Sequence, residues 1–144
     1  MSSGKSLNEG LDASVVYVDT FLRQMEYAGA RMPLFIVQDG DVRRIKGNPH
    51  GIGGGASAQM RAKQFAKHCI SYRSGDCIYL TTDGFSDQLN CARQKFLVSR
   101  FMGMLDLCKD MPFAEQKAAL ESHHQTWKGV HAQTDDILVL GIKL

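Results

Sequence analysis

The sequence predicts an α+β fold in which antiparallel strands come first and helices come late. Three observations carry that reading. The first half consists of short apolar, often β-branched runs broken by turn residues. A helical period appears only after Asp83, and a last apolar run, Ile137 to Ile142, returns the chain to a strand. At 144 residues the chain has room for one ordinary core.

Residues 1–9 read as a flexible lead. From residue 10 onward the elements follow in order. Ala13 to Val18 is apolar and rich in valine, Arg23 to Ala28 alternates more loosely, and Leu34 to Val37 is a third run. Gln38-Asp39-Gly40-Asp41 is a hairpin signal, because Asp-Gly readily takes positive φ. The stretch from Gly47 to Ser57, with Asn48-Pro49 and three successive glycines, reads as a loop, and a flap over about residues 47–60 is expected. A strand from about Phe65 to Tyr72 follows, then the turn Arg73-Ser74-Gly75-Asp76. The run Cys77 to Thr82 has no polar face and predicts a central strand covered on both sides.

After Asp83 the period changes. Leu97, Phe101, Met104, Leu105 and Cys108 share one face of a helix. A second helix begins near Pro112, presents Leu120, His124 and Trp127 on one side, and stops at Gly129.

Composition narrows the function classes. Hydrophobic residues make up 44% and charged residues 22%, which fits a folded globular chain rather than a disordered one. The net charge of +2 comes from scattered basic residues, with only Arg43-Arg44-Ile45-Lys46 as a short run, so no nucleic-acid footprint is present. No apolar stretch approaches membrane-spanning length and no signal-peptide core is visible, so a cytoplasmic location is expected for this piece, with any membrane anchor elsewhere in a parent protein. Cys69, Cys77, Cys91 and Cys108 form no C-x-x-C pair and read as buried, reduced thiols.

The acidic residues are the informative feature. Asp83 follows the run Cys77 to Thr82, and Asp135-Asp136 immediately precede Ile137 to Ile142. If those strands are antiparallel neighbours, Asp83 and Asp135 meet at one sheet edge. A parallel pair would hold them roughly 15 Å apart at about 3.3 Å per residue. Carboxylates gathered there, with Asp87 close by, repel unless a cation neutralises them, and oxygen-only ligands favour a hard ion such as Mg²⁺ or Mn²⁺. The alternative is that Asp83-Gly84 is simply a turn and Asp135-Asp136 a solvated strand entry.

Four blocks then carry a family resemblance. Tyr79-Leu80-Thr81-Thr82-Asp83-Gly84-Phe85-Ser86-Asp87-Gln88 resembles the Tyr-Leu-x-Thr-Asp-Gly-x-x-Asp signature of the SpoIIE/RsbU branch of PPM-type serine/threonine phosphatases. Gln133-Thr134-Asp135-Asp136-Ile137-Leu138-Val139 is similar to the closing motif of that family. Tyr27-Ala28-Gly29-Ala30-Arg31-Met32-Pro33-Leu34 is similar to its Tyr-Ala-Gly-Ala-x-x-Pro-Leu block, and Ile52-Gly53 falls where an Ile-Gly pair is expected. The blocks stand in the family order and cover residues 10–144.

The resemblance implies a sandwich of two antiparallel sheets flanked by helices, with a binuclear Mn²⁺ or Mg²⁺ centre at one end. It implies in-line attack on a phosphoserine or phosphothreonine by a metal-bridging water. Motif against motif, Asp83 and Asp135 are the implied metal ligands, and Asp136 and Asp87 are outer-shell or additional-metal positions. Gly84 would allow close backbone approach. The resemblance also implies a bacterial signalling protein with an upstream sensor or receiver domain, and a STAS-type anti-anti-sigma factor as substrate. One departure is consequential: no Asp-x-x-Gly-His-Gly block occurs in the sequence. The chain is therefore expected to be the C-terminal portion of such a domain, with weak metal binding, little activity alone, and association into a dimer through an exposed sheet edge. A smaller departure is Leu97, where relatives commonly carry glycine.

Three weaker patterns point elsewhere. Gly51-Ile52-Gly53-Gly54-Gly55-Ala56 resembles a dinucleotide fingerprint but does not clearly join a strand to a helix. His123 and His124 are adjacent on one helix and point apart, which argues against a transition-metal site with His131. The rival of another class is a non-catalytic interaction module that keeps the PPM-like sheet and binds a partner.

Overall fold

The computed structural model describes residues 10–53 and 64–144. The strands are β1 (Gly10–Leu11), β2 (Ala13–Asp19), β3 (Gln24–Ala30), β4 (Leu34–Gln38), β5 (Asp41–Ile45), β6 (Ile52–Gly53), β7 (His68–Ser71), β8 (Cys77–Thr81) and β9 (Val139–Lys143). Between β8 and β9 lie the helices α1 (Gly84–Asp87), α2 (Val98–Cys108) and α3 (Phe113–Lys128). Every ladder among these strands is antiparallel. The α+β class expected from the sequence is the one observed. Among the described residues no helix is long and apolar enough to cross a membrane.

The chain divides into two compact units. The first, within residues 1–33 and 46–71, holds a three-stranded sheet in the order β2-β3-β7 and the short β1-β6 pair. Its Tyr-Ala-Gly-Ala block serves packing. Tyr27, almost fully buried, donates its hydroxyl to the Met32 carbonyl at 2.5 Å. Gly29 lies two residues on, on the same side of the strand, and a Cβ there would overlap both groups. The expected strand from Phe65 to Tyr72 is shorter, because the Ala66 N–H turns away to the Asn48 side chain at 2.8 Å and pairing with β3 starts only at His68. The expected loop beginning at Gly47 contains the β6 pairing with β1, while residues 54–63, with the rest of the flap, lie outside the described residues, as do residues 1–9.

The second unit, residues 34–45 and 72–144, carries the sheet β5-β4-β8-β9 and all three helices. Asp39 and Gly40 both have positive φ, 53° and 81°, which is what a two-residue hairpin between β4 and β5 demands. β8 lies between β4 and β9, the central position its unbroken apolar run predicts. Ile78 is fully buried and Tyr79 nearly so. Aromatic rings tie the helices to this sheet. Phe35 packs edge-on to Phe101 at 5.1 Å, Phe85 meets Phe96 and Phe101 at 5.2 Å each, and Phe96 meets Trp127 at 5.5 Å. Leu120 and His124 are buried on α3 as the spacing predicts, and Gly129 ends the helix with φ 56°. The thiols divide evenly: Cys77 and Cys108 are buried as expected, whereas Cys69 on the edge strand β7 and Cys91 in a turn are exposed.

Candidate functional site

The candidate acids are positioned by the β8-β9 ladder, which runs from Cys77 opposite Lys143 to Thr81 opposite Val139. Because the pairing is antiparallel, the exit of β8 lies beside the entry to β9, and the two acidic segments come to one edge. The ladder does not stop cleanly. Thr82 donates its N–H to the Leu138 carbonyl at 3.1 Å, and its hydroxyl accepts from the Leu138 N–H at 2.9 Å and donates to the Asp136 carbonyl at 2.8 Å. A side chain thus replaces main-chain partners at this point. This explains why β9 begins at Val139 rather than at the expected Ile137.

Gly84 completes the closure. A Cβ at this position would overlap the Asp136 carbonyl oxygen and stand 3.0 Å from the carbonyl carbon, so only glycine lets the two segments lie this close. Asp83 occupies the position before α1, yet its side chain does not cap the helix. Its main-chain carbonyl accepts from the Asp87 N–H at 2.9 Å and the Ser86 hydroxyl at 3.0 Å. Among the described residues its carboxylate has no hydrogen-bond or ion-pair partner. The same is true of the Asp136 carboxylate.

The other two acids are engaged. Asp135 accepts the Asp136 N–H on Oδ1 at 2.7 Å, and its carbonyl accepts from the Gln133 amide at 2.8 Å. Asp87 forms an ion pair with Lys95 at 3.0 Å. The structure therefore brings Asp83, Gly84 and the Asp135-Asp136 segment together, and gives Asp87 a partner of its own. Among the described residues no three His, Cys, Asp or Glu side chains stand close enough to hold a metal ion. In kind, the oxygen donors fit a hard divalent cation, since two carboxylates are exposed and unpaired at one edge. In number they supply part of a coordination shell.

Two residues of the Tyr79 to Gln88 string that were not among the expected site residues also shape this edge. Gln88 is fully buried, and its amide donates to the carbonyls of Leu89 and Ala132, both at 3.1 Å. Its main-chain carbonyl accepts from Phe96 N–H at 2.9 Å and from the Trp127 indole at 3.0 Å. It fastens the loop that leads to Asp135. Thr82 is the second. The sequence signal for Thr82 is its place in the Tyr-Leu-x-Thr-Asp-Gly signature, and for Gln88 its place directly after it; neither shows the hydrogen bonds the side chain makes.

A cavity of about 500 Å³ lies between α3 and the segment leading into β9, lined by Tyr79, Phe85, Phe113, Leu120, His124 and Ile137 among others. Tyr79 donates its hydroxyl to Gln116 Oε1 at 2.8 Å, and burial pushes its pKa up to about 12, so the phenol stays neutral. His124 stacks at a tilt on Phe85, with ring centroids 5.2 Å apart, and its buried Nε2 has no hydrogen-bond partner among the described residues. Burial, with the charge of Lys128, moves its pKa below 6.5, so the ring is neutral at pH 7.

Among curated proteins none matches the chain in sequence. Solved structures do. The SiaA PP2C domain of Pseudomonas aeruginosa superposes with a TM-score of 0.81 at 32% identity, covering 92% of this chain and 51% of that one. The phosphatase domain of SpoIIE from Bacillus subtilis gives 0.65 at 14% identity, over 93% of this chain and 57% of that one. The catalytic domain of the serine/threonine phosphatase PstP, in complex with two manganese ions, gives 0.57 at 12% identity, over 92% and 57%. The chain spans about half to three fifths of these domains. The profile of the stage II sporulation protein E (SpoIIE) family matches residues 5–144, and the chain belongs to that family, with the fold of PPM-type phosphatase domains.

Proposed function

We propose that this chain supplies one side of the metal site of a protein serine/threonine phosphatase that hydrolyses phosphoserine or phosphothreonine. The observation that carries the reading is the antiparallel β8-β9 register, which brings Asp83 and the Asp135-Asp136 segment to one sheet edge. In this reading Asp83 and Asp135 hold Mn²⁺ or Mg²⁺. Asp136 and Asp87 shape the surrounding charge, and Gly84 keeps the two segments in contact. The cations would neutralise phosphoryl charge and make a water acidic enough to attack phosphorus. With cations bound, a water oxygen would join phosphorus as the bond to the serine oxygen breaks, a proton from that water passing to the serine oxygen so that it leaves as the alcohol.

In this reading the remaining ligands would come from outside these residues; the chain spans only part of the length of its solved relatives. Alone, the chain is expected to bind metal weakly and to be inactive. The substrate is proposed to be a phosphorylated STAS-type anti-anti-sigma protein in a bacterial signalling system, with an upstream sensor or receiver in the same parent chain. The exposed Leu140 on the outer strand β9 is consistent with pairing to a second copy along that edge.

The test is a domain extended to the length of the relatives, assayed with Mn²⁺ on a phosphoserine protein. Turnover that falls at least a hundredfold in Asp83→Asn and in Asp135→Asn is expected. A domain that folds and binds its partner yet stays inert with either metal would instead establish a non-catalytic interaction module.

A further inference from the structure

We propose that Thr82 is a positioning residue whose hydroxyl latches the Asp135-Asp136 segment against Asp83. The inference rests on the phosphatase reading for its chemistry, and on geometry alone for its existence. The β8-β9 ladder ends at Thr81 and Val139, and one more main-chain bond, from the Thr82 N–H to the Leu138 carbonyl at 3.1 Å, follows it. Beyond that point the loop from Ala132 to Leu138 has no strand of its own, so the ladder cannot fix where its acids stand.

Thr82 extends the order past the ladder. Its O–H donates to the Asp136 carbonyl at 2.8 Å and its oxygen accepts the Leu138 N–H at 2.9 Å, bridging residues on either side of Ile137. A hydroxyl has one donor and two acceptor positions, and this one uses a donor and an acceptor together. Valine would serve the strand equally well by shape and propensity, so the hydroxyl is the part that strand formation does not require. Gly84, lacking a Cβ, leaves room for the same Asp136 carbonyl. The carbonyl is held between a donor and a bare backbone, and the carboxylates of residues 135 and 136 are set by that clamp. Gln88 restrains the far end of the loop through Ala132.

The experiment uses the chain itself, isotopically labelled, with amide exchange and Mn²⁺ broadening read residue by residue. In Thr82→Val the Leu138 amide is expected to exchange at least about fivefold faster, as loss of its acceptor requires, while Ile78 inside the ladder is unchanged. In the same variant residues 135–136 should need about five- to tenfold more Mn²⁺ to broaden than in the wild type, with residues 83–84 moving less. Thr82→Ser keeps the hydroxyl and should restore both. Unchanged Leu138 exchange in Thr82→Val, or Thr82→Ser behaving like Thr82→Val, would overturn the latch, the second by assigning the effect to the methyl group. If the wild-type chain shows no broadening anywhere, the metal reading fails on its own, and Leu138 exchange still decides for or against the latch.

Discussion

Leu97 sits at φ 75° and ψ 146°, a conformation that costs a residue with a side chain on the order of 1–3 kcal/mol. The backbone is held there because its N–H donates to Ser86 O at 2.8 Å and its carbonyl begins α2. The side chain is 52% exposed and gains little from burial. Leu97→Gly is therefore expected to raise stability by about 1 kcal/mol after the entropy cost of glycine, while Leu97→Ala gains nothing, as urea unfolding would show. Departure from the glycine of relatives was visible in the sequence, but its meaning needed the dihedral. His124 carries a pH dependence. Its folded pKa lies below 6.5, so the unfolded chain binds the proton first as pH falls. The stability it contributes is complete above about pH 6.5 and is lost below it. Urea midpoints should drop between pH 7.5 and 5.5, and His124→Leu should flatten part of that drop.

At the scale of elements, what was legible followed from periodicity. The unbroken apolar run of β8 marked a central strand, and the spacing from Leu97 to Cys108 marked α2, because burial imposes those patterns directly. What was not legible depended on single polar contacts. The start of β9 moved two residues because a threonine hydroxyl took the place of a main-chain partner, and β7 lost its first residues to the Asn48 side chain. The convergence of Asp83 with the Asp135-Asp136 segment was a conditional reading, and the antiparallel register supplied the condition. Helix α3 offers a test of how these elements are joined. Trp127 donates to Gln88 O at 3.0 Å and lies under the Arg100 guanidinium at 4.6 Å. Trp127→Phe keeps most of the apolar contact and removes the donor, so a loss of about 1–2 kcal/mol is expected in denaturation followed by circular dichroism.

For the whole molecule, thiol chemistry offers a count that checks the fold. Of the four cysteines, Cys69 and Cys91 are exposed, while burial raises the pKa of Cys77 and Cys108. A disulfide reagent at neutral pH should therefore titrate two thiols quickly in the folded chain and all of them in urea. Four fast thiols would mean that α2 and β8 are not packed as described. The bond between Thr82 and Leu138 joins residues 56 positions apart. Bringing such distant points together costs about 3.5 kcal/mol in chain entropy, which local contacts do not refund. In a chain whose hairpins close over a few residues, this contact belongs among the last to form. An ion captured at the acidic edge would therefore find its ligands assembled only after the folding barrier has been crossed. It would lengthen the lifetime of the folded state and leave the rate of reaching it unchanged.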